Sequence, residues 1–381
     1  MQPGDCSELQ QTLEHHFKWF HRHPELSNQE TGTTARIQGI LSAAGVAILD
    51  TGLKTGLVAR IGPEGNGKVI ALRCDIDALP LTEASGLDYA SEHTGCMHAC
   101  GHDFHLSAML GAALLLKEQE QDLAGMVKLV FQPAEEGGGG AQQVLDSGVL
   151  DDVREIYGLH VASELEMGLI AVSPGATYAA VGFFRLIIRG KGGHAGEPHA
   201  CRDPIVAAAQ IINAVQSIVS RETSPLDQVV VSITHIEAGK TWNVIPQEAL
   251  LEGTFRAFSA EKLSAVAARL EQICRIIGEM HNMGVVYQWH CYTISTNNDP
   301  ELCEFVVDTA KTLGLRVVPS TPQMGGEDFA LYQQRIRGVF WNIGVGSPHG
   351  THHPGFVADP APLSTAARLL AALGRRTLER G

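Results

Sequence analysis

The amino-acid sequence predicts an α/β protein in which a small domain interrupts a larger one. Over the first 160 residues, helical stretches such as "SELQQTLEHHFKWF" alternate with short apolar runs typical of buried strands. Farther along, the order becomes strand, helix, strand, strand, helix, strand, and then the first pattern returns. We therefore predict a discontinuous α/β domain over residues 1–179 and 294–381, with an inserted domain over 180–293.

The strands of the larger domain are predicted from uninterrupted apolar runs. In chain order the first four are "GLVARIG", "VIALRC", "MVKLVFQ" and "REIYGLHV". Runs without polar alternation are typical of strands that helices cover on both faces of a sheet. Two more, "GLRVVPS" and "GVFWNIGVG", precede a C-terminal helix predicted near 363–379.

The inserted domain has four predicted strands, "FFRLIIRG", "QVVVSITHI", "ALLEGTFRAF" and "GVVYQWHCY", and two predicted helices. Asp203 followed by Pro204 is a typical helix start, an N-cap with proline at the first helical position. Ser259 can cap the second helix in the same way. The resulting βαββαβ order predicts a ferredoxin-like unit.

Composition narrows the possible partners. The chain has 381 residues, is 44% hydrophobic and carries a net charge of −14, which argues against nucleic acid and an anionic membrane surface. No apolar run reaches the length of a membrane span. The start "MQPGDCSELQ" lacks the features of a signal peptide, and eight cysteines are scattered without the density of a disulfide scaffold. We therefore expect a cytoplasmic protein.

A concentration of potential metal ligands occurs in "MHACGHDFH" at residues 97–105. Cys100 and His102 are separated by one residue, so in an extended loop both side chains would point to the same side. Other candidates follow apolar strands, where ligand groups of α/β sheets gather. These are Glu135 and Glu136 in "QPAEEGGGG", His160 in "REIYGLH", and His349, His352 and His353 in "HGTHHPGF".

Each candidate also has a simpler interpretation. A histidine at a strand end is usually a hydrogen-bonded structural residue, and an acidic pair before glycines is usually a solvated turn. Taken together, however, one thiol, several imidazoles and two carboxylates suit zinc or a similar divalent ion. The glycines at 137–140 would permit the bend that two adjacent acids need to enter one pocket.

Other chemistries lack their required residues. "EAGKTW" ends like a phosphate-binding loop, but Thr234 stands where the first glycine is needed. "GVGSPHG" places Ser347 among glycines, but Val345 interrupts the G-x-S-x-G pattern. The zinc deaminase signature is also missing. A metal-dependent hydrolase remains.

The chain resembles the zinc-type amidohydrolases that include N-acyl-amino-acid amidohydrolases, hippurate hydrolase and auxin-conjugate hydrolases. The resemblance runs through nearly the whole length and rests on motifs in the right order. They include "FHRHPELSNQE", "DIDALP", "MHACGHDFH", "QPAEEGGGGA", "GLHV", "GKGGHAGEPH", "NVIP", "GTFR", "GGEDF" and "HHPGF". It implies the discontinuous catalytic domain and an inserted dimerisation domain, and hence a homodimer.

The resemblance also implies a dinuclear site with two divalent ions per chain, such as Zn, Mn, Ni or Co. Its metal ligands would be Cys100, His102, Glu136, His160 and His352, with Cys100 as the bridge. Glu135 would act as the general base. Asp75 would orient one of the ligand residues. His353 departs from the small polar residue that relatives carry there, which leaves His353 as the alternative to His352.

Three residues of the inserted domain complete the implied site. His194 in "GGHAGEPH" resembles the family histidine that reaches the partner subunit's site and stabilises the oxyanion. Asn243 and Arg256 look like the groups that hold the substrate carboxylate. Lys240 and Trp242, bulkier than expected beside Asn243, are expected to affect the acyl pocket.

The implied activity is hydrolysis of the amide bond of an N-acyl amino acid. A dipeptidase or carboxypeptidase of the same superfamily is the alternative enzyme. A non-catalytic binder of a metal or metabolite is the alternative of a different class. Glu135 argues against a binder, since a binder has no use for a general base.

Overall fold

The computed structural model describes residues 3–65 and 67–380. The α-helices are α1 Pro3–Arg22, α2 Thr31–Ala43, α3 His102–Glu118, α4 Gly140–Asp146, α5 Pro204–Ser217, α6 Ala260–Met280, α7 Pro300–Thr312, α8 Phe329–Gln333 and α9 Leu363–Glu379. The strands are β1 Ala47–Leu49, β2 Leu57–Ile61, β3 Lys68–Asp75, β4 Gly125–Gln132, β5 Glu155–Ala162, β6 Ile170–Ala171, β7 Gly175–Tyr178, β8 Ala180–Arg189, β9 Gly193–His194, β10 Val229–Ala238, β11 Val244–Ile245, β12 Glu248–Ala257, β13 Gly284–Thr293, β14 Thr296–Asn298, β15 Val317–Val318 and β16 Arg337–Gly344. Within these described residues, no helix has the length and apolar character needed to cross a membrane.

The chain divides into two compact units. Unit 1 comprises Met1–Gly175, Asn297–Thr321 and Asp328–Gly381, and unit 2 comprises Ala176–Thr296 and Pro322–Glu327. Unit 2 therefore takes a short segment, Pro322–Glu327, that the sequence assigned to the larger domain. Backbone hydrogen bonds explain the difference, because Gln323 N–H donates to the Thr177 carbonyl at 2.8 Å.

Unit 1 is built on an eight-stranded mixed sheet with the order β1-β2-β4-β3-β5-β16-β6-β15. The central strands β4, β3, β5 and β16 run parallel to their neighbours in this group. They are the strands predicted from uninterrupted apolar runs, and nearly all of their side chains are buried. Helix α3 is apolar on almost every side and is buried along most of its length, as expected for a helix inside a core. The mixed α/β class is thus confirmed.

Unit 2 contains a four-stranded antiparallel sheet with the order β10-β12-β8-β13 and the helices α5 and α6. Side chains of β8 alternate between buried and exposed, which is typical of a sheet that helices cover on one face. Both predicted helix caps are confirmed. Asp203 accepts from Ile205 N–H at 2.9 Å, and Ser259 accepts from Lys262 N–H at 3.1 Å.

Candidate metal centre

Cys100 and His102 lie on either side of a tight turn at the start of α3. Between them Gly101 has a φ of +86°, and His102 is the first helical residue. A side chain at position 101 would come within 2.5 Å of the Val161 side chain, so only glycine fits. The two side chains lie on the same side, as the sequence led us to expect, but a left-handed turn at Gly101 rather than an extended loop brings them together.

The thiol of Cys100 meets His160 on the neighbouring strand β5. Cys100 Sγ lies 3.4 Å from His160 Nε2, and these atoms form with His102 a group whose ligand atoms all lie within 4.8 Å of one another. His160 Nδ1 is 2.7 Å from the Val161 carbonyl. That contact fixes Nδ1 as the protonated nitrogen and leaves Nε2 as a lone-pair donor.

Glu135 and Glu136 follow β4 after a bend in the backbone. The sequence predicted that the glycines after the pair permit this bend, and Gly138 and Gly139 do have positive φ values of +76° and +93°. The chain also turns earlier, at Ala134, where φ is +49°. Glu136 N–H donates to Asp77 Oδ2 at 3.0 Å, and Glu135 Oε1 accepts from Asp328 N–H at 3.4 Å. Both glutamates belong to a group with His102 whose ligand atoms lie within 4.8 Å of one another.

The loop after β16 brings His352 to the same cluster. His352 Nε2 lies 3.1 Å from Glu136 Oε1, and it forms a group with Glu136 and Cys100. Its backbone has a φ of +65°, and its N–H donates to the Ala99 carbonyl at 2.7 Å. By contrast, His353 stacks on His349 with ring centroids 4.2 Å apart. The geometry therefore brings His352, and not its neighbour, next to the glutamate.

Two aspartates, Asp75 at the end of β3 and Asp77 two residues later, contact the histidines of α3. Asp75 Oδ1 lies 2.6 Å from His105 Nδ1 but 3.7 Å from His102 Nδ1, whereas Asp77 Oδ1 is 3.2 Å from His102 Nδ1. Burial lowers the pKa of His102, but the two carboxylates outweigh it and raise the pKa to about 10. Asp77 also binds the Glu136 backbone, so it connects two candidate ligands. The sequence interpretation missed Asp77 and His105, although "DIDALP" and the three-residue spacing in α3 contain them.

The charges around Cys100 favour a cation. Burial, followed by the charges of Glu136 and Glu135, raises the pKa of the Cys100 thiol well above its usual value. Burial lowers the pKa of His160 to about 3, so that ring is neutral. Within the described residues, the buried His102 Nε2 has no hydrogen-bond partner. A sulfur, two imidazoles and carboxylates so arranged fit divalent ions, which would favour the thiolate.

A fully buried arginine, Arg73, is hydrogen-bonded to side chains from several segments near the cluster. Arg73 donates to Asp75 at 2.8 Å, to Asp328 at 2.7 Å and to Gln132 at 2.8 Å. Asp328 also accepts from Gln132 at 2.9 Å, and its own N–H contacts Glu135. The arginine compensates the charge of two buried carboxylates, which would otherwise be costly to desolvate. The sequence interpretation missed this network, whose members come from segments far apart in the chain.

The remaining predicted residues belong to unit 2. Strands β9 and β11 pair with His194 opposite Val244, and Ala195 N–H donates to the Asn243 carbonyl at 3.1 Å. This pairing brings the exposed His194 close to the exposed Asn243. Arg256, on β12, is half-buried and donates to the Met324 carbonyl at 2.9 Å. Burial lowers its pKa from the ordinary value.

A buried ion pair next to the cluster leads to a prediction about pH and stability. His21 Nδ1 lies 2.6 Å from Asp103 Oδ2, and Nε2 lies 3.1 Å from Glu83 Oε1. Burial lowers the pKa of His21, but the carboxylates outweigh it and raise the pKa from 6.5 to about 9. The protonated His21 ring therefore stabilises the folded protein fully below pH 6.5, and this stabilisation is lost as the pH rises towards 9.

The His21→Asn variant is expected to have a lower unfolding free energy than the wild type at pH 6. We expect this difference to become smaller by up to about 3 kcal/mol as the pH rises from 6 to 9. Urea unfolding of the wild type and of His21→Asn across this pH range measures the difference. A pH-independent loss would show that the ring is neutral in the folded protein.

The site combines a thiol, imidazoles and paired carboxylates near the carboxyl ends of α/β strands. This combination defines the class of metal-dependent hydrolases. Comparisons with known proteins agree with this class. The profile of Peptidase family M20/M25/M40 matches residues 71–376. The chain belongs to this family, and the resemblance inferred from the sequence motifs is confirmed.

Several members of the family are similar over nearly the whole chain. N-acetylcysteine deacetylase of Bacillus subtilis (strain 168) is 44% identical over 360 residues, which cover 94% of this chain and 95% of that protein. An IAA-amino acid hydrolase of Arabidopsis thaliana is 39% identical over 369 residues, covering 94% and 84%. The crystal structure of a dinuclear metal binding peptidase of the M20 family from Bacillus subtilis has a TM-score of 0.88 at 39% identity, covering 98% and 99%.

Proposed function

We propose that this protein hydrolyses the amide bond of N-acyl amino acids, with two divalent metal ions in the cluster of unit 1. The observation that carries the proposal is the convergence of all five candidate ligands beside a sixth group suited to be a base. They form overlapping groups, and within each group the ligand atoms all lie within 4.8 Å of one another. The residues are Cys100, His102, Glu135, Glu136, His160 and His352. Two relatives are named for such substrates, N-acetylcysteine and IAA-amino acids.

Cys100 is the proposed bridge between the two ions. It is common to one group with His102 and His160 and to another with Glu136 and His352. A thiolate that is shared by two groups of donors could hold two cations close together. Zn, Mn, Ni and Co remain the candidate ions, since this mixture of sulfur, nitrogen and oxygen suits each of them.

Glu135 is the proposed general base. When bound, two divalent ions lower the pKa of a water molecule and polarise the scissile carbonyl. The Glu135 carboxylate takes a proton from the attacking water and then gives it to the amide nitrogen of the departing amino acid. The Asp328 N–H contact at 3.4 Å orients this carboxylate, while Glu136 is turned towards His352.

The residues of unit 2 are proposed to serve the substrate. A guanidinium can pair with a carboxylate through two hydrogen bonds, which suits Arg256 to the free carboxylate of an N-acyl amino acid. Asn243 is proposed to bind the same carboxylate. His194, adjacent to Asn243 through the β9–β11 pairing, is proposed to donate to the developing oxyanion of a partner subunit's site.

We further propose that unit 2 is a ferredoxin-like dimerisation domain. Its βαββαβ element order and the strand order β10-β12-β8-β13 support the topology. The outer strands β10 and β13 each extend over ten residues, and an unpaired edge of that length favours association. Exposed apolar side chains such as Ile276 and Met280 on α6 add to this tendency.

A substrate panel tests the proposed function. The protein is loaded with zinc or manganese and assayed for amine release from N-acetyl, N-benzoyl and longer N-acyl amino acids of both chiralities, with dipeptides as the comparison. Cleavage of N-acyl amino acids with a higher kcat/KM than dipeptides is expected. A preference for dipeptides would instead assign a dipeptidase, and no cleavage of either with two ions bound would assign a binding protein.

Subunit mixing tests whether His194 acts across a dimer. His194→Ala and Glu135→Gln chains are each expected to be nearly inactive. In a heterodimer, one site then has both groups intact and the other has both defects. We expect activity to recover towards half of the wild-type value per heterodimer, with exchange verified by native mass spectrometry. No recovery after verified exchange would place His194 in its own chain's site or outside catalysis.

A further inference from the structure

The residue before the glutamate pair has a backbone conformation that alanine disfavours. Ala134 has a φ of +49°, in the left-handed region where Cβ crowds the following carbonyl. A non-glycine residue persists there only when its surroundings hold it, and such residues concentrate at functional sites. Ala134 is fully buried and directly precedes Glu135, so whatever holds it also sets the direction of the pair.

Both backbone polar groups of Ala134 are hydrogen-bonded. Its N–H donates to Glu30 Oε1 at 2.8 Å, and its carbonyl accepts from Gly140 N–H at 3.2 Å. A Cβ at Gly140 would lie 1.7 Å from the Pro133 carbonyl oxygen, so the chain can close here only with glycine. Glu30 comes from the segment before α2, and its side chain is completely buried. A buried carboxylate is costly unless it is hydrogen-bonded, which makes this contact specific.

The conformation of Ala134 sets the direction in which the chain enters the segment of Glu135 and Glu136. In an extended chain, adjacent side chains point to opposite faces, and a turn that starts at the pair itself, where Gly138 N–H donates to the Glu135 carbonyl at 3.3 Å, allows both glutamates to reach one cluster. With Ala134 in the left-handed region, Glu135 lies against Asp328 N–H and the Glu136 backbone reaches Asp77. A return of Ala134 to an ordinary conformation would redirect the segment that makes both contacts.

We infer that Glu30 is a positioning residue for the glutamate pair. By accepting the Ala134 N–H bond it holds the left-handed turn, and the turn keeps Glu135 in reach of the reacting water and Glu136 among the ligands. Glu30 acts through the backbone of Ala134 and is in none of the groups of candidate ligands found among the described residues. The inference rests on the proposed function for its effect on turnover, but its effect on metal affinity can be measured without any substrate.

Rescue by glycine is the decisive experiment. Glu30→Leu, which removes the acceptor, is expected to lower kcat at least ten-fold with little change in KM, and to weaken zinc binding by the apoprotein. Adding Ala134→Gly should restore most of both losses, because glycine adopts a positive φ without a steric penalty. Glu30→Gln should retain most activity, because the amide oxygen can accept the same N–H bond.

Glu25 provides the matched control in the same segment. It accepts from the N–H groups of Gly32 and Thr33 at the start of α2 and has no contact with Ala134 in the described hydrogen bonds. Ala134→Gly should therefore not restore any loss in Glu25→Leu. Should Glu30→Leu fail to fold, Ala134→Val leaves Glu30 intact and must lower kcat and zinc affinity alike, since a β-branched residue is strongly disfavoured at positive φ.

Full activity and zinc affinity in Glu30→Leu, or no rescue by glycine, would overturn the inference. A wild-type protein that cleaves no N-acyl amino acid would overturn the proposed function instead, while the zinc titrations would still decide the role of Glu30.

Discussion

Glu135→Gln is expected to lower turnover by roughly 100-fold or more while the protein still binds two metal ions per chain. Glutamine keeps the shape of the side chain and can still accept from Asp328 N–H, as Glu135 Oε1 does at 3.4 Å. It cannot take a proton from the attacking water. Steady-state kinetics on the best N-acyl amino acid, with metal analysis of the same sample, measures both effects.

Glu136→Gln is the matched comparison, because the two residues are adjacent and belong to the same cluster. Its neighbour His352 lies 3.1 Å away, as expected for two ligands of one ion. This variant should lose metal affinity, and added metal should partly restore its activity. If Glu135→Gln loses the ions and Glu136→Gln keeps them, the two roles have to be exchanged.

Cys100→Ala is expected to weaken the binding of both metal ions together and to abolish activity at low metal concentration. The thiol is shared by two groups of candidate ligands, so its removal affects both. Metal affinity depends on the deprotonated thiol, and burial together with the surrounding carboxylates raises the pKa of the Cys100 thiol, which a bound cation would offset. Stepwise zinc titration of the apoprotein measures whether one or both affinities fall.

Cys96→Ala is the control four positions earlier in the same segment. Cys96 is also buried, but its thiol donates to the Pro24 carbonyl at 3.4 Å and it is in none of the ligand groups found among the described residues. Both ions should remain bound in this variant, and bound metal should protect Cys100 from a thiol reagent. Loss of metal from Cys96→Ala with retention in Cys100→Ala would move the site and contradict our assignment.

The sequence predicted the elements of the fold well because burial leaves a direct trace in residue order. Uninterrupted apolar runs marked β3, β4, β5 and β16, and alternation with helices marked the α/β class. Asp203 and Ser259 could be predicted as caps because a cap bonds to the backbone within three residues. These signals are local, so they do not depend on how distant segments pack.

The sequence also indicated the chemistry of the site, since the types of ligand were present in a few short motifs. It could not determine which of two neighbouring residues would be used. Asp77, rather than Asp75, is nearer the ring of His102, and His352, rather than His353, reaches Glu136. A shift of one or two positions along the chain changes which groups a side chain reaches, and only the packed loops fix that choice.

The bend before the glutamate pair is the clearest case of a feature that the tertiary structure decided. From the sequence, glycines at 137–140 were the natural place for it, because they adopt positive φ at no steric cost. Gly138 and Gly139 do have positive φ, but the chain also turns before the pair, at Ala134, whose N–H donates to Glu30 from 104 positions away. The sequence by itself determined the strands, the helix caps and the set of metal-binding residue types, since these follow from local burial and bonding. The tertiary structure alone decided the strained backbone and the Arg73 network, because both depend on contacts between segments that the chain order does not connect.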